Sequence, residues 1–315
     1  MEARDIKTIC MEAINHRKNI ISSLEDIDIE SLNNFHGLLR FKRKSDGKKV
    51  MSILPPPLNT DDMFLNILRG AFAEINGVDK YYATPTSLID VEQIEMSSLT
   101  ESTFEDESQR KKFVYDGDGG GSLKKFPKRI EFTDIHGHYM WFQAAKNAID
   151  DIIKIANRIN PEKKYWVNFG SIYINIMDIN VSSLYLFNED NKMTLTYDLL
   201  DKSEVSMEIQ ANEKLLKRTF NEIAELLNTR DNNHRWVAFT YGIIDTYSIN
   251  PYLITDTPIS NDLYEISFIT KSGACLDYQI PIVELPSVIS NIIRGIDEAS
   301  TLEEDILKHM DNLIK

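Results

Sequence analysis

Cysteine is scarce in this chain, with only Cys10 and Cys275 among its 315 residues. Two thiols so far apart exclude a framework of several disulfides and a four-cysteine zinc site. Charged residues interrupt the apolar positions of the first segment, which therefore lacks the core of a secretory signal. We expect a reducing, cytoplasmic location and small, ordinary packing roles for both cysteines.

Long hydrophobic runs are also missing. No stretch of 18 consecutive apolar residues occurs, so we expect no helix that spans a membrane. Hydrophobic residues still make up 42% of the chain and aromatic residues 10%, which is enough for a sizeable core. The composition favours a globular protein with one large domain or two of ordinary size.

Positive charge is in short supply, because 35 Lys and Arg face 49 Asp and Glu, a net charge of −14. Residues 1–130 carry 19 basic and 21 acidic side chains, whereas residues 131–315 carry 16 and 28. The C-terminal part therefore holds nearly all the excess and repels nucleic-acid phosphates at long range. Such a surface suits solubility, a basic protein partner, or mimicry of nucleic acid.

Motifs of common enzymes are absent, since the chain has no GxSxG, CxxC, GxGxxG or HExxH pattern. The nearest approach to a metal site is Asp134 followed by His136 and His138. The two histidines would share a face of an extended segment, and with the acid they could bind a metal if a third group converged. The alternative interpretation is a polar turn. We predict no metal and no cofactor, and keep open an enzyme, for example a hydrolase, with a dispersed site containing Asp134, His136, His138 and Asp178.

Hydrophobic periodicity predicts an α+β fold in which mainly antiparallel sheets are covered by helices. Predicted helices span residues 3–24, 60–75, 141–159, 212–227 and 286–314, the last with a break near Gly295 or Ala299. Predicted strands span residues 37–41, 49–53, 165–177, 183–187, 193–197, 204–209, 236–244, 263–270 and 274–280. No internal repeat of fixed period is apparent. Ile292 and Ile293 fall in the apolar stripe of the final helix.

Composition divides the chain into three parts. Residues 1–83 form a small helix-hairpin-helix module, and residues 130–315 form a larger acidic α+β domain. Between them, residues 84–129 first accumulate acids without any base and then bases around a glycine-rich run. That pattern predicts a charged linker or insertion, and we expect trypsin to cut the chain first within this segment.

A basic hairpin is the most distinctive feature of the first module. Its six cations surround the tight-turn pair Asp46-Gly47; they are Arg40, Lys42, Arg43, Lys44, Lys48 and Lys49. Alternation along the strand places Arg40, Lys42 and Lys44 on one face. The cations either protect a sheet edge from aggregation or form an anion-binding surface for nucleic acid or an acidic protein face.

Two classes of function follow. We favour a non-catalytic macromolecular interaction protein, such as an inhibitor, adaptor or assembly subunit. Its acidic C-terminal half would bind a basic, nucleic-acid-handling protein, as inhibitors from phages and mobile elements do. We expect direct nucleic-acid binding only through the basic hairpin, and a homo-oligomer remains open. The enzyme with a dispersed site is the alternative.

Overall fold

The computed structural model describes residues 5–35, 37–56, 58, 63–103, 126–189, 192–231, 233–260 and 262–314. Contacts divide the chain into two compact units, Met1–Trp166 and Val167–Lys315. Helices and antiparallel sheets occur together in both units, so the predicted α+β class is confirmed. Among these described residues, no helix combines the length and apolarity needed to cross a membrane.

Along the described residues, runs of strands are separated by single helices. The helices are α1 (Ile6–Ile14), α2 (Met63–Asn76), α3 (Ala148–Ile159), α4 (Glu213–Arg230) and α5 (Leu285–Ile314). The 3₁₀ turns are η1 (Leu24–Asp26), η2 (Val91–Gln93), η3 (Met96–Ser98), η4 (Ile176–Asp178) and η5 (Thr246–Ser248). The strands of the first unit are β1 (Ile27–Phe35), β2 (Leu38–Arg43), β3 (Lys49–Ile53), β4 (Tyr81–Ala83), β5 (Leu88–Asp90), β6 (Thr100–Thr103), β7 (Lys128–Thr133) and β8 (Tyr139–Ala144). The remaining strands are β9 (Trp166–Asn168), β10 (Tyr173–Asn175), β11 (Ile179–Glu189), β12 (Lys192–Leu199), β13 (Glu204–Ile209), β14 (Trp236–Phe239), β15 (Gly242–Asp245), β16 (Ile249–Pro258), β17 (Leu263–Thr270) and β18 (Cys275–Pro281).

One order of elements occurs four times. A 3₁₀ turn leads into a three-stranded antiparallel meander and then a helix, and in three cases a short two-stranded hairpin comes first. Repeat 1 runs from η1 to α2, repeat 2 from β4 to α3, repeat 3 from β9 to α4, and repeat 4 from β14 to α5. The sequence nevertheless shows no internal repeat of fixed period, because loops of unequal length between equivalent elements remove any constant spacing.

The 3₁₀ turns show the repeat most clearly. Four of the five described turns, η1, η2, η4 and η5, begin after a capping side chain that accepts a hydrogen bond from the amide two residues ahead; the caps are Ser23, Asp90, Asn175 and Asp245. Each ends at an isoleucine that is at most 5% exposed; these are Ile27, Ile94, Ile179 and Ile249. A polar cap and a buried isoleucine four residues later therefore start every meander.

A serine stabilises the irregular first strand of the meander in three repeats. The hydroxyls of Ser31, Ser98 and Ser183 donate to the carbonyl three residues earlier, at 2.7, 2.6 and 2.7 Å. Each hydroxyl also accepts an amide from the second strand, at 2.7, 2.8 and 2.7 Å. The register of repeats 1 and 3 shifts here, as expected for a β-bulge.

Neighbouring repeats within a unit join in the same way. The amide of Asn34 in β1 donates to the Thr86 carbonyl in the next hairpin at 2.6 Å, and the amide of Leu186 in β11 donates to the Tyr241 carbonyl at 2.8 Å. In the second unit this contact extends the meander of repeat 3 to a five-stranded sheet in the order β13-β12-β11-β15-β14. The hairpin of repeat 4 thus continues the sheet of repeat 3, whereas β4 and β5 form a separate two-stranded sheet that is linked to β1 by the Asn34 hydrogen bond.

Helical asparagines also fix the start of the following hairpin. The side-chain amide of Asn228 in α4 donates to the Trp236 carbonyl at 2.9 Å, and its oxygen accepts the Trp236 amide at 2.8 Å. Asn157 in α3 makes the same pair of bonds to Trp166, at 2.9 and 2.6 Å. Because each asparagine satisfies both backbone groups of a half-buried residue, these contacts are directional links between helix and strand.

The first helix is shorter than the predicted span of residues 3–24. It ends at Ile14, because Asn15 caps it. The side-chain nitrogen of Asn15 then donates to the Ile21 carbonyl at 2.9 Å, and its side-chain oxygen accepts the Ile21 amide at 3.1 Å. This is the bond pattern that Asn157 and Asn228 make. α1 therefore occupies, before repeat 1, the position that a preceding repeat's helix occupies elsewhere.

Other predicted elements differ from the structure. The predicted helix over 141–159 is wrong at its start, since residues 139–144 form β8 and α3 begins only at Ala148. The predicted strand over 236–244 is a hairpin that turns at Thr240 and Tyr241. Residues 84–103 and 126–129 of the expected linker contribute β5, β6 and the start of β7 to the first unit, and residues 104–125 lie outside the described residues.

The two cysteines lie in different environments, and both are free thiols. Cys10 is fully buried in the first unit, and this burial raises the pKa of its thiol to about 12. Cys275 is exposed at the start of β18. A buried thiol with a raised pKa is a packing residue, as the sequence predicts for Cys10.

Candidate functional site

The second and third strands of each meander meet at a tight turn that contains one residue with positive φ. These residues are Gly47, Gly137, Lys202 and Gly273, with φ of 66°, 85°, 70° and 89°. On each hairpin, the cross-strand pair nearest the turn and the pair two residues farther along the strands lie on the same side of the sheet. Most of these side chains are exposed or half-buried, but Thr196 is 5% exposed. We call these two pairs the outer face of a repeat.

The four outer faces have the same position and different chemistry. Repeat 1 carries Lys42 opposite Lys49 and Arg40 opposite Met51, and repeat 2 carries Thr133 opposite Tyr139 and Glu131 opposite Trp141. Repeat 3 carries Asp198 opposite Glu204 and Thr196 opposite Ser206, and repeat 4 carries Ile269 opposite Cys275 and Ser267 opposite Asp277. The face therefore changes from basic through aromatic to acidic and polar.

The outer face of repeat 1 contains half of the predicted basic cluster. Arg40, Lys42 and Lys49 are exposed around a shallow groove of about 580 Å³, and none forms an ion pair with a described residue. Asp28 in β1 is the cross-strand partner of Lys42, at the edge of β2 that does not face β3. The two side chains are not within ion-pair distance. Three cations that form no ion pair with a described residue thus share one side of a sheet.

The remaining predicted cations belong to the turn. Arg43 pairs with Asp46 and also donates to the Ile20 carbonyl at 3.3 Å, and Lys48 lies 3.7 Å from Asp46. Desolvation raises the pKa of Asp46, but hydrogen bonds from the Lys48 amide and Arg43 outweigh it and leave the pKa lowered. Lys44 lies beyond the end of β2, where its amide donates to the Asp26 carbonyl at 2.7 Å. These three side chains are not part of the outer face.

The outer face of repeat 2 is an internally satisfied aromatic cluster. Arg129 pairs with Glu131 at 2.7 Å and lies 4.9 Å from the ring centre of Trp141. The Tyr139 hydroxyl donates to Glu131 at 2.7 Å, although the side chain is 59% exposed. With its charges paired, this face offers aromatic surface rather than net charge.

The two histidines occupy the turn of repeat 2. Asp134 accepts the amides of His136 and His138 at 2.9 and 2.8 Å, and its second oxygen lies 2.9 Å from Nδ1 of His138. The hydrogen bond from the His138 amide is the main cause of the lowered pKa of Asp134. Within the described ranges, no group of three or more His, Cys, Asp or Glu side chains could hold a metal ion. The geometry fits the polar turn.

Asp178, the fourth residue of the alternative enzyme site, lies in the second unit. It ends η4 and accepts a hydrogen bond from the Asn175 amide at 2.8 Å. Asn175 is the cap of that same turn. Asp178 therefore has a structural role in starting the meander of repeat 3.

The outer face of repeat 3 is acidic, and sequence reasoning missed it. Asp198 and Glu204 face each other directly across β12 and β13, and neither forms an ion pair with a described residue. Glu208, farther along β13, is 3.9 Å from Lys192. In repeat 4, Asp277 is exposed on β18, and Glu265, two residues from Ser267 on the same side of β17, is half-buried and extends the acidic part of this face. These acidic positions can be identified only from the register of the hairpins, which the sequence pattern does not give.

Like charges directly opposite one another in an antiparallel pair are destabilising. The structure nevertheless has Lys42 facing Lys49 in repeat 1 and Asp198 facing Glu204 in repeat 3. The fold does not require charge there, because repeats 2 and 4 have uncharged pairs at the equivalent positions. Side chains that cost stability and are not needed for folding are candidates for binding.

We predict that Lys49→Glu raises the free energy of unfolding by about 0.5 kcal/mol, because a repulsive pair with Lys42 becomes attractive. Glu204→Lys should do the same opposite Asp198. Urea denaturation at low salt measures both changes, with Lys49→Gln as the control that only removes the repulsion. A loss of stability in both charge-reversal variants would show that neither repulsion exists.

A buried carboxylate connects repeats 3 and 4, and both of its oxygens accept hydrogen bonds there. Glu284, just before α5, accepts the amide and hydroxyl of Thr240 at 2.9 Å each and pairs with Lys217 of α4 at 2.5 Å. Desolvation raises its pKa, but the bonds from Lys217 and Thr240 outweigh this and lower it. Since this carboxylate holds the β14–β15 turn between two helices, we assign it to the fold and not to the site.

Comparison with protein-family models and with curated proteins finds no match to this chain. The candidate site therefore stands on geometry and charge. It consists of the outer faces of the repeats, above all the basic face of repeat 1 and the acidic faces of repeats 3 and 4.

Proposed function

We propose that this protein is a non-catalytic, cytoplasmic interaction protein that binds a basic macromolecular partner through the acidic outer faces of repeats 3 and 4. The observation that carries the proposal is the unpaired, mutually repelling pair of Asp198 and Glu204. Repulsion between two carboxylates is relieved when a partner supplies cations between them. A nucleic-acid-handling protein, whose phosphate-binding surface is basic, has the matching chemistry.

The wider charge distribution supports the same partner. Residues 131–315 carry 28 acidic against 16 basic side chains, so a cation approaching this part of the chain is attracted before contact. At physiological ionic strength this attraction extends about 8 Å, which makes the rate of association sensitive to salt. A repeated scaffold with variable outer faces is a common basis for binding proteins.

The test is capture of basic proteins from the native cell extract by the full chain at about 50 and 300 mM salt. We expect Asp198→Lys/Glu204→Lys and, separately, Glu265→Lys/Asp277→Lys to lower the captured amount about tenfold. Glu225→Lys/Asp262→Lys is the matched control, because it makes the same charge change at two exposed acids away from these faces.

Two results would contradict the proposal. The first is capture that is equal at both salt concentrations, because an electrostatic contact must weaken as salt rises. The second is equal loss in the face variants and the control, because that would assign binding to net charge and not to the outer faces.

A further inference from the structure

We infer that the basic outer face of repeat 1 binds the acidic outer face of repeat 3 in a second copy of this chain. The inference goes beyond the proposed function and does not depend on it, because it concerns the purified protein alone. It rests on the matching geometry of two faces that occupy equivalent positions in one repeated structure.

The charges on the two faces have opposite sign and the same spacing. Lys42 and Lys49 are direct cross-strand partners, and so are Asp198 and Glu204. Directly opposed residues in an antiparallel pair have Cβ atoms about 4.5–5.5 Å apart. Two lysines and two acids whose Cβ atoms share this spacing can therefore pair with one another, and each face relieves the repulsion of the other.

The flanking residues also fit a protein surface. Met51, 61% exposed, lies opposite Arg40 and gives the basic face an apolar part that a sheet surface can cover. On the acidic face the next pair is Thr196 and Ser206, whose hydroxyls lie 3.2 Å apart. Ser206 is exposed and small, so it leaves room for a longer side chain such as Met51 or Arg40, whereas Thr196 is 5% exposed and does not offer a contact surface.

Salt sets the conditions under which this contact forms. Each copy carries a net charge of −14, so two copies repel one another when screening is weak. At about 0.15 M salt the Debye length is about 8 Å, which screens the distant charges more than the contacting pairs. Association is therefore measured at this ionic strength.

The contact joins two different surfaces, so it is heterologous. It either forms a closed dimer, in which the basic face of each copy binds the acidic face of the other, or continues into longer assemblies. Sedimentation velocity separates the two, because a dimer stops growing with concentration and an open assembly does not.

The experiment is sedimentation velocity of the full chain, up to about 100 µM, with Lys42→Glu/Lys49→Glu, Asp198→Lys/Glu204→Lys and their equimolar mixture. We expect wild type to associate, each variant alone to associate at least tenfold more weakly, and the mixture to recover association. Recovery follows because each variant supplies the charge that the other has lost. Glu225→Lys/Asp262→Lys, the control used above, should associate like wild type.

Folding is checked separately, by urea denaturation of each variant. Each double variant keeps like charges opposite one another, so we expect its free energy of unfolding to stay close to that of wild type, and a loss of association then does not arise from unfolding. A wild-type protein that stays monomeric at 100 µM would overturn the inference. So would association that neither variant weakens, or a mixture that fails to recover.

The competing occupant of the basic face is a phosphodiester chain. A fluorescent single-stranded 20-nucleotide probe, titrated with the wild type under the same conditions, tests it. Monomeric wild type that binds the probe, with binding lost in Lys42→Glu/Lys49→Glu, would overturn the inference and assign the face to nucleic acid. No binding of the probe, together with self-association, supports the second copy.

Discussion

Replacing Gly295 with alanine is expected to lower the free energy of unfolding of the second unit by about 3 kcal/mol. A Cβ at this position would lie 2.0 Å from Oγ1 of Thr246 and 2.7 Å from its Cβ, so α5 would have to move away from η5. Alanine favours a helix over glycine by about 1 kcal/mol, but this gain is smaller than the cost of the displaced contact.

The matched control is Gly70→Ala in α2 of the first unit. There the new Cβ would lie 2.9 Å from Cδ1 of Ile6, the movable end of a flexible side chain, so we expect a change below about 1 kcal/mol. Urea denaturation, with hydrogen exchange of peptides from α5 and α2, measures the effect in each unit. Equal effects of the two substitutions would mean that α5 and η5 are not in close contact.

The second large effect concerns two adjacent residues of α5. Ile292 is 1% exposed and belongs to the core that contains Phe239 and Phe268, whereas Ile293 is 53% exposed. We expect Ile292→Ala to cost about 2–4 kcal/mol and Ile293→Ala less than about 0.5 kcal/mol. Chemical denaturation of both variants provides the comparison, and similar losses would place the opposite face of α5 against the sheet.

Sequence periodicity identified α5 but placed both isoleucines in its apolar stripe. A helix turns by about 100° per residue, so two adjacent side chains cannot both point to the centre of one core. Several isoleucines in this helix widen the apparent stripe, and only packing shows which of them is buried. The predicted break near Gly295 is wrong for the same reason, since this glycine is a point of close contact inside a continuous helix.

The α+β class and several meander hairpins could be predicted, because alternation and turn residues are local signals. The 3₁₀ turns and short hairpins could not, because each contains only three or four residues and depends on contacts with a neighbouring repeat. Residues 236–244 were predicted as one long strand, since Thr240 and Tyr241 have no strong turn signal. The repeat is defined by the order of the elements, together with the caps and buried isoleucines that start each meander.

The basic hairpin could be predicted as a cluster of cations but not divided by role. Arg43 and Lys48 pair with Asp46, while Lys42 and Lys49 form no ion pair with a residue that the structure describes, and this difference follows from side-chain direction at the turn. The acidic pair on repeat 3 needs the register of β12 and β13. Register depends on strand pairing, which composition does not contain.

The link between Asn228 and Trp236 has a consequence for the order in which the chain folds during synthesis. The ribosome releases the helix before the following hairpin, so Asn228 emerges without its partner backbone. Its side chain gains both hydrogen bonds only when the first strand of the next repeat arrives. Helix α4 should therefore be completed late, by the segment that follows it, so a nascent chain that stops before Trp236 exposes the end of α4 to proteases and chaperones.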